Sequence, residues 1–127
     1  MRRFLVLGLL LLAACGPKKT VVSWSFKGIE EGYDHDNRTV VYVDGTMLGK
    51  SSIKPESQPN SMKVAMPPGN HAYRIVNLAF YRGEWEEHLI DNEYSVDCEW
   101  ESSYEEVPPS VVELTFDLDS GTTAEIR

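Results

Sequence analysis

From residue 20 onward the chain alternates between apolar and polar positions. Val22, Trp24 and Phe26 fall on one side of an extended segment, and Val21, Ser23 and Ser25 on the other. That is the period-two pattern of a half-buried strand. Near the C-terminus Val112, Leu114, Phe116 and Leu118 alternate with Glu113, Thr115, Asp117 and Asp119. Between these lie the β-branched and aromatic run Thr39–Val43, then Thr46–Lys50, Met62–Met66 and a long segment from His71 to Arg82. Turn residues separate them. Asp44-Gly45 supplies the positive φ angles of a type I′ hairpin, Pro67-Pro68-Gly69-Asn70 and Arg82-Gly83 mark further turns, and Asp119-Ser120-Gly121 leads into a last strand, Thr122–Ile126. No helical period of useful length follows the N-terminal segment. That segment, Phe4 to Leu12 behind Arg2 and Arg3, is apolar but too short to span a bilayer.

This pattern predicts an all-β fold, a small antiparallel β-sandwich of about eight short strands. With the Asp44-Gly45 turn fixed, Val43 is expected opposite Thr46 and Val41 opposite Leu48 on one face, with Tyr42 opposite Met47 on the other. Gly28–Asn37 and Ser51–Ser61 read as polar loops. Trp85–Ile90 is expected to return from the Arg82-Gly83 turn, and the adjacent Leu89 and Ile90 admit one turn of helix there. Tyr94, Val96, Cys98 and Trp100 predict a strand with one apolar side, followed by a loop from Ser102 to Pro109.

Charge narrows the partners. The formal net charge is -8, and the acids crowd between Glu84 and Glu106: Glu84, Glu86, Glu87, Asp91, Glu93, Asp97, Glu99, Glu101, Glu105 and Glu106. Such a surface repels phosphate backbones and argues against nucleic acid as a partner. It attracts cations, though solvation of strand faces explains most acidic runs.

Leu12-Ala13-Ala14-Cys15, after two arginines and an apolar run, resembles the lipobox of bacterial lipoproteins. The resemblance implies a cleaved N-terminal signal helix over residues 1–14 and a diacylglycerol thioether on Cys15. It further implies a lipidated tether over 15–20 and a single β-sandwich domain over 21–127. Gly16 stands where an Asp retains enterobacterial lipoproteins in the inner membrane, so the expectation is a cell-envelope protein held on the membrane, the outer one favoured. The tether reaches about 15–20 Å when extended. With Cys15 acylated, Cys98 has no internal disulfide partner and is expected as a buried small hydrophobe. A nucleophilic role fits poorly between Asp97 and Glu99.

Val41-Tyr42-Val43-Asp44-Gly45, Gly49 and Pro68-Gly69-Asn70-His71 resemble the PEGA family of β-sandwich modules in bacterial envelopes. A longer loop stands where that family carries Thr-Pro. The likeness implies a structural or adhesive module and brings no catalytic residues.

Candidate chemistry is sparse. Asp34, Asp36 and Asn37, with Glu30 and Glu31 upstream, offer oxygens for calcium, but no glycine or closing glutamate completes an EF-hand loop. His35, His71 and His88 lack zinc-ligand spacing and read as surface or hydrogen-bonded residues. Phe80, Tyr81, Arg82 and Trp85 crowd one hairpin tip and suit a contact surface for protein or glycan. Alternation offers a competing arrangement, with Phe80 and Trp85 in the core and only Tyr81 and Arg82 exposed. No serine elbow, phosphate loop or dinucleotide fingerprint occurs. The expectation is therefore a non-enzymatic, lipid-anchored binding or structural domain without a cofactor. The alternatives are a calcium-stabilised or glycan-binding module, and a small hydrolase using carboxylates or His88.

Overall fold

A computed structural model describes residues 18–127. The signal segment 1–14 and Cys15 lie outside the described residues. Two sheets pack face to face. In the first, β1 (Thr20–Lys27), β5 (Asn60–Val64), β9 (Val111–Asp117) and β10 (Gly121–Ile126) run in the order β10-β9-β1-β5. In the second, β2 (Asp36–Val43), β3 (Thr46–Lys50), β6 (His71–Tyr81) and β7 (Glu84–Glu87) run in the order β3-β2-β6-β7. The two-residue β4 (Lys54–Pro55) lies beside β2, and β8 (Glu99–Tyr104) beside β6. The expected all-β sandwich is the fold. The core is where alternation put it: Val22, Trp24, Leu114 and Phe116 of one sheet face Val41, Val43, Tyr73 and Ile75 of the other. Among the described residues no helix is long and apolar enough to cross a membrane.

Three details depart from expectation, each for a physical reason. First, β1 pairs with β9 in parallel, Val21 opposite Val111 through Lys27 opposite Asp117. The two strands start at the same end of the sandwich, and alternation carries no information about strand direction. Second, the Asp44-Gly45 hairpin forms with both residues at positive φ, 48° and 80°. Val43 opposes Thr46 and Tyr42 opposes Met47, but Val41 opposes Gly49. Leu48 is therefore the extra residue of a β-bulge and leaves the register that the turn alone would set. Third, Tyr94–Cys98 is not a strand; β8 begins at Glu99 and runs through Tyr104, into the expected loop. Val96 and Cys98 are buried, so the alternation reports burial there without sheet pairing.

The third departure follows from β6. Its first half pairs with β8 and its second with β7, on the same edge. Asn77 is the changeover residue. Its carbonyl accepts from His88 N at 2.8 Å and its N–H donates to Cys98 O at 2.9 Å, while Cys98 N donates to His88 O at 2.8 Å. Residues 88–98 thus leave the sheet as a closed excursion containing the expected single turn of helix, a 3-10 turn at Ile90–Asn92.

A buried amide network ties the sheets together beside this changeover. Trp24 Nε1 of the first sheet donates to Asn37 Oδ1 of the second at 3.2 Å. Asn77 Nδ2 donates to the same oxygen at 2.9 Å, and Asn37 Nδ2 donates to Lys54 O at 2.8 Å. Asn37→Ala leaves Trp24 Nε1 without its acceptor and takes one partner each from Lys54 O and from Asn77 Nδ2, which keeps Thr39 Oγ1 and Arg38 O, and is expected to cost about 2–4 kcal/mol. Urea unfolding should show a lower midpoint with an unchanged slope, and stability within about 0.5 kcal/mol of the parent would contradict the network's role.

Candidate functional site

Glu56 follows β4 and is carried into the interior, where it is 2 % exposed. Its N–H donates to His35 O at 2.9 Å, and its Oε1 accepts from His35 N at 3.2 Å and lies 3.3 Å from His35 Nδ1. Its other oxygen, Oε2, lies 3.5 Å from Nδ1 of His88, which is 3 % exposed. Neither Oε2 nor that Nδ1 has a hydrogen-bond partner. Among the described residues, only the two histidines come within ion-pair distance of Glu56.

Burial decides the charges. It raises the Glu56 pKa against the lowering effect of the His35 hydrogen bonds. It depresses His88 to about 4, with the positive charge of His35 adding a smaller push the same way. At neutral pH the His88 imidazole is therefore uncharged, and burial opposes charge on the Glu56 side of the contact as well. Two buried charges at 3.5 Å would each forfeit hydration that one long contact does not restore.

His35 and His88 line an open cavity of about 570 Å³ at one end of the sandwich. The Tyr94 ring stacks on His88 with centroids 4.2 Å apart, and its hydroxyl donates to Glu86 Oε1 at 2.7 Å. Burial first, and Glu86 second, hold that phenol protonated well beyond its usual range. Tyr81 meets His35 edge-on at 5.1 Å, and the Arg82 guanidinium lies 4.9 Å above the Tyr81 ring. Glu30, Glu84, Glu93 and Asp119 join Glu86 around the mouth. Gly28 closes the wall with φ +78°, a backbone conformation that favours glycine.

The hairpin tip divides between two faces. Tyr81 and Arg82 line the cavity, whereas Phe80 and Trp85 stack at 5.2 Å on the outer face of their sheet, with Arg38 lying 4.3 Å over Trp85. The four residues do not form one contact surface, and Phe80, 40 % exposed, is not in the core either.

The calcium set is also separated. Asp34 accepts from Ser57 N and Oγ at 2.9 and 2.6 Å, Asp36 is exposed, and Asn37 is committed to the amide network. Among the described residues no three His, Cys, Asp or Glu side chains are arranged to hold a metal ion. Cys98 is fully buried, as expected, and burial pushes its thiol pKa upward. His71 sits at the far end of the sandwich on Asp44. The residue that sequence reasoning missed is Glu56. It lies in a polar loop, and nothing in its spacing from His35 or His88 signals that the three meet.

Compared with known proteins, the chain matches no family model and no curated sequence.

The His88 environment makes stability depend on pH with a definite sign. An unfolded histidine takes up its proton near 6.5, the folded one near 4. Between these values the unfolded chain binds more protons, so His88 weakens folding as pH falls, by up to about 3 kcal/mol. Glu56 acts oppositely: its raised pKa stabilises fully below the ordinary carboxyl value, and that contribution fades as pH rises through the folded value. His88→Gln removes the first effect. The stability of the parent relative to this variant should fall by about 2–3 kcal/mol between pH 7 and pH 4 in urea titrations. A difference constant with pH would contradict the neutral buried imidazole.

Proposed function

We propose that this protein is a lipid-anchored, non-enzymatic binding protein of the bacterial cell envelope, and that the cavity floored by His35 and His88 is its binding site. The observation that carries the reading is the position of the cavity relative to the tether. The tether joins at Thr20, at the start of β1. The cavity is built where β1 ends, beside Gly28 and Asp119. The two are separated by the length of β1, about 23 Å at ~3.3 Å per residue. A lipid on Cys15 thus holds one end of the sandwich near the membrane and presents the cavity at the other. The His88 ring and the tyrosine walls give the site preformed aromatic contacts, and Glu86 gives it a polar one.

The Glu56–His88 contact supports a second reading, acid-base hydrolysis, since His88 lines the cavity and Glu56, buried behind it, holds a carboxyl oxygen 3.5 Å from its Nδ1. That chemistry would rely on an activated water. Cys98 is fully buried, and the Ser95 hydroxyl donates to Leu118 O at 3.0 Å.

Metabolic labelling with a palmitate analogue should mark the parent and not Cys15→Ser, and the parent should fractionate with membranes. In lipid vesicles, a cysteine introduced as Glu93→Cys should react with an impermeant thiol reagent as fast as in detergent, whereas Asp44→Cys at the tether end should be slowed. Equal labelling of Cys15→Ser, or slowing at position 93 alone, would overturn the reading.

A further inference from the structure

At the end of the sandwich where β1 begins, His71 stands between two segments that no strand ladder joins. Its Nδ1 meets Asp44 Oδ2 in the Asp44-Gly45 turn, and its Nε2 meets Pro68 O at 3.1 Å. A carboxylate oxygen and a backbone carbonyl oxygen both accept and neither donates. Both ring nitrogens must therefore carry hydrogen to make the two bonds, and only the imidazolium does. A neutral ring has one N–H and gives up one bond. We propose that His71 is a pH-sensitive latch: its imidazolium fastens the tip of the β2–β3 hairpin to the Pro67–Asn70 turn, and loss of its proton releases the tip.

The surroundings decide which side lets go. The turn is held independently from β8 and the residues after it. Tyr104 Oη donates to Pro67 O at 2.6 Å, Gly69 N to Glu106 O at 2.9 Å, and Glu106 N to Asn70 Oδ1 at 3.2 Å. None of these bonds titrates near neutral pH, since burial first and Asp44 second push the Tyr104 phenol upward. The hairpin tip has its other bonds to β6, from Asp44 N to Ala72 O at 2.9 Å and from Ala72 N to Asp44 Oδ1 at 3.1 Å. Among the described residues, His71 alone bonds to both the tip and the turn.

The ionisable groups facing His71 are Asp44 from the hairpin and Tyr104 from β8, whose ring centroid lies 5.9 Å away. The turn carries no ionisable side chain, and Glu105 and Glu106 beyond β8 are exposed. The Asp44 bond raises the His71 pKa against a lowering by burial, and the same bond lowers that of Asp44. The latch is thus fully closed below the free-histidine value of about 6.5 and opens as pH rises through the higher folded value. His88 behaves oppositely, because burial resists its proton. The latch depends on neither the lipid nor the cavity.

The test uses the full-length protein in detergent and nitrogen-15 NMR. The His71 ring should carry hydrogen on both nitrogens at about pH 5.5 and lose one only above about 6.5. Across that titration the backbone order parameters of Gly45 and Thr46 should fall from about 0.85 toward about 0.6, while that of Gly69 stays near the rigid value. In His71→Gln the tip should be loose at every pH. Asp44→Asn keeps a favourable Asn-Gly turn and an acceptor for Ala72 N, so the hairpin still forms, and the His71 midpoint should drop. A ring that titrates at or below the free-histidine value overturns the latch. Hairpin order that ignores the titration, or that falls with pH equally in His71→Gln, overturns it too.

Discussion

A carboxyl group sits inside this sandwich with no lysine or arginine among the described residues to compensate it, and much of the local architecture answers that constraint. Glu56 holds the loop before β2 through reciprocal backbone and side-chain bonds to His35, and it presents its remaining oxygen to His88. Burial favours the uncharged forms on both sides of that contact. The result is a polar floor on which burial opposes charge on both groups. An ionised floor would draw in water or a counter-ion, and the aromatic walls around it would lose their dry contacts.

The scaffold places this floor through β6. That strand is flanked on one edge by two different partners, and the change of partner at Asn77 throws residues 88–98 out of the sheet. His88 and Cys98 close the excursion at its base. His88 is thereby turned inward while Tyr94, farther along, folds back over its ring. On the opposite side the Trp24–Asn37–Asn77 bonds lock the two sheets at the same level. Phe26 then bridges the apolar core and the site, 5.1 Å from Phe116 and 6.0 Å from His88. Polar groups cluster at one end of the sandwich, and β1 begins at the other.

How much of this the sequence discloses depends on the range of the interaction. Period-two alternation identifies β1 and β9, because one face of each must be apolar whatever its neighbours are. Asp44-Gly45 identifies its hairpin, because few residue pairs tolerate two positive φ angles. The Leu48 bulge is not legible, since the turn residues alone set an unbroken register and no local pattern marks the extra residue. The parallel pairing of β1 with β9 is equally hidden, because both strands would show the same alternation in either direction. Asn37 looks like a calcium oxygen in a run of acids, yet it is drawn inside by Trp24 and Asn77, both far along the chain. Glu56 is the extreme case. Its neighbours Lys54, Pro55 and Ser57 give every local sign of an exposed loop, and its burial is decided by two histidines distant in sequence.

The charge state of His88 is the point on which the account turns. A nitrogen-15 NMR titration of the imidazole in the folded protein measures it directly. The account predicts a ring that stays neutral from pH 8 downward and gains its proton only near pH 4. A ring that is already protonated at or above the free-histidine value of about 6.5 would mean an ion pair with ionised Glu56, and would contradict it.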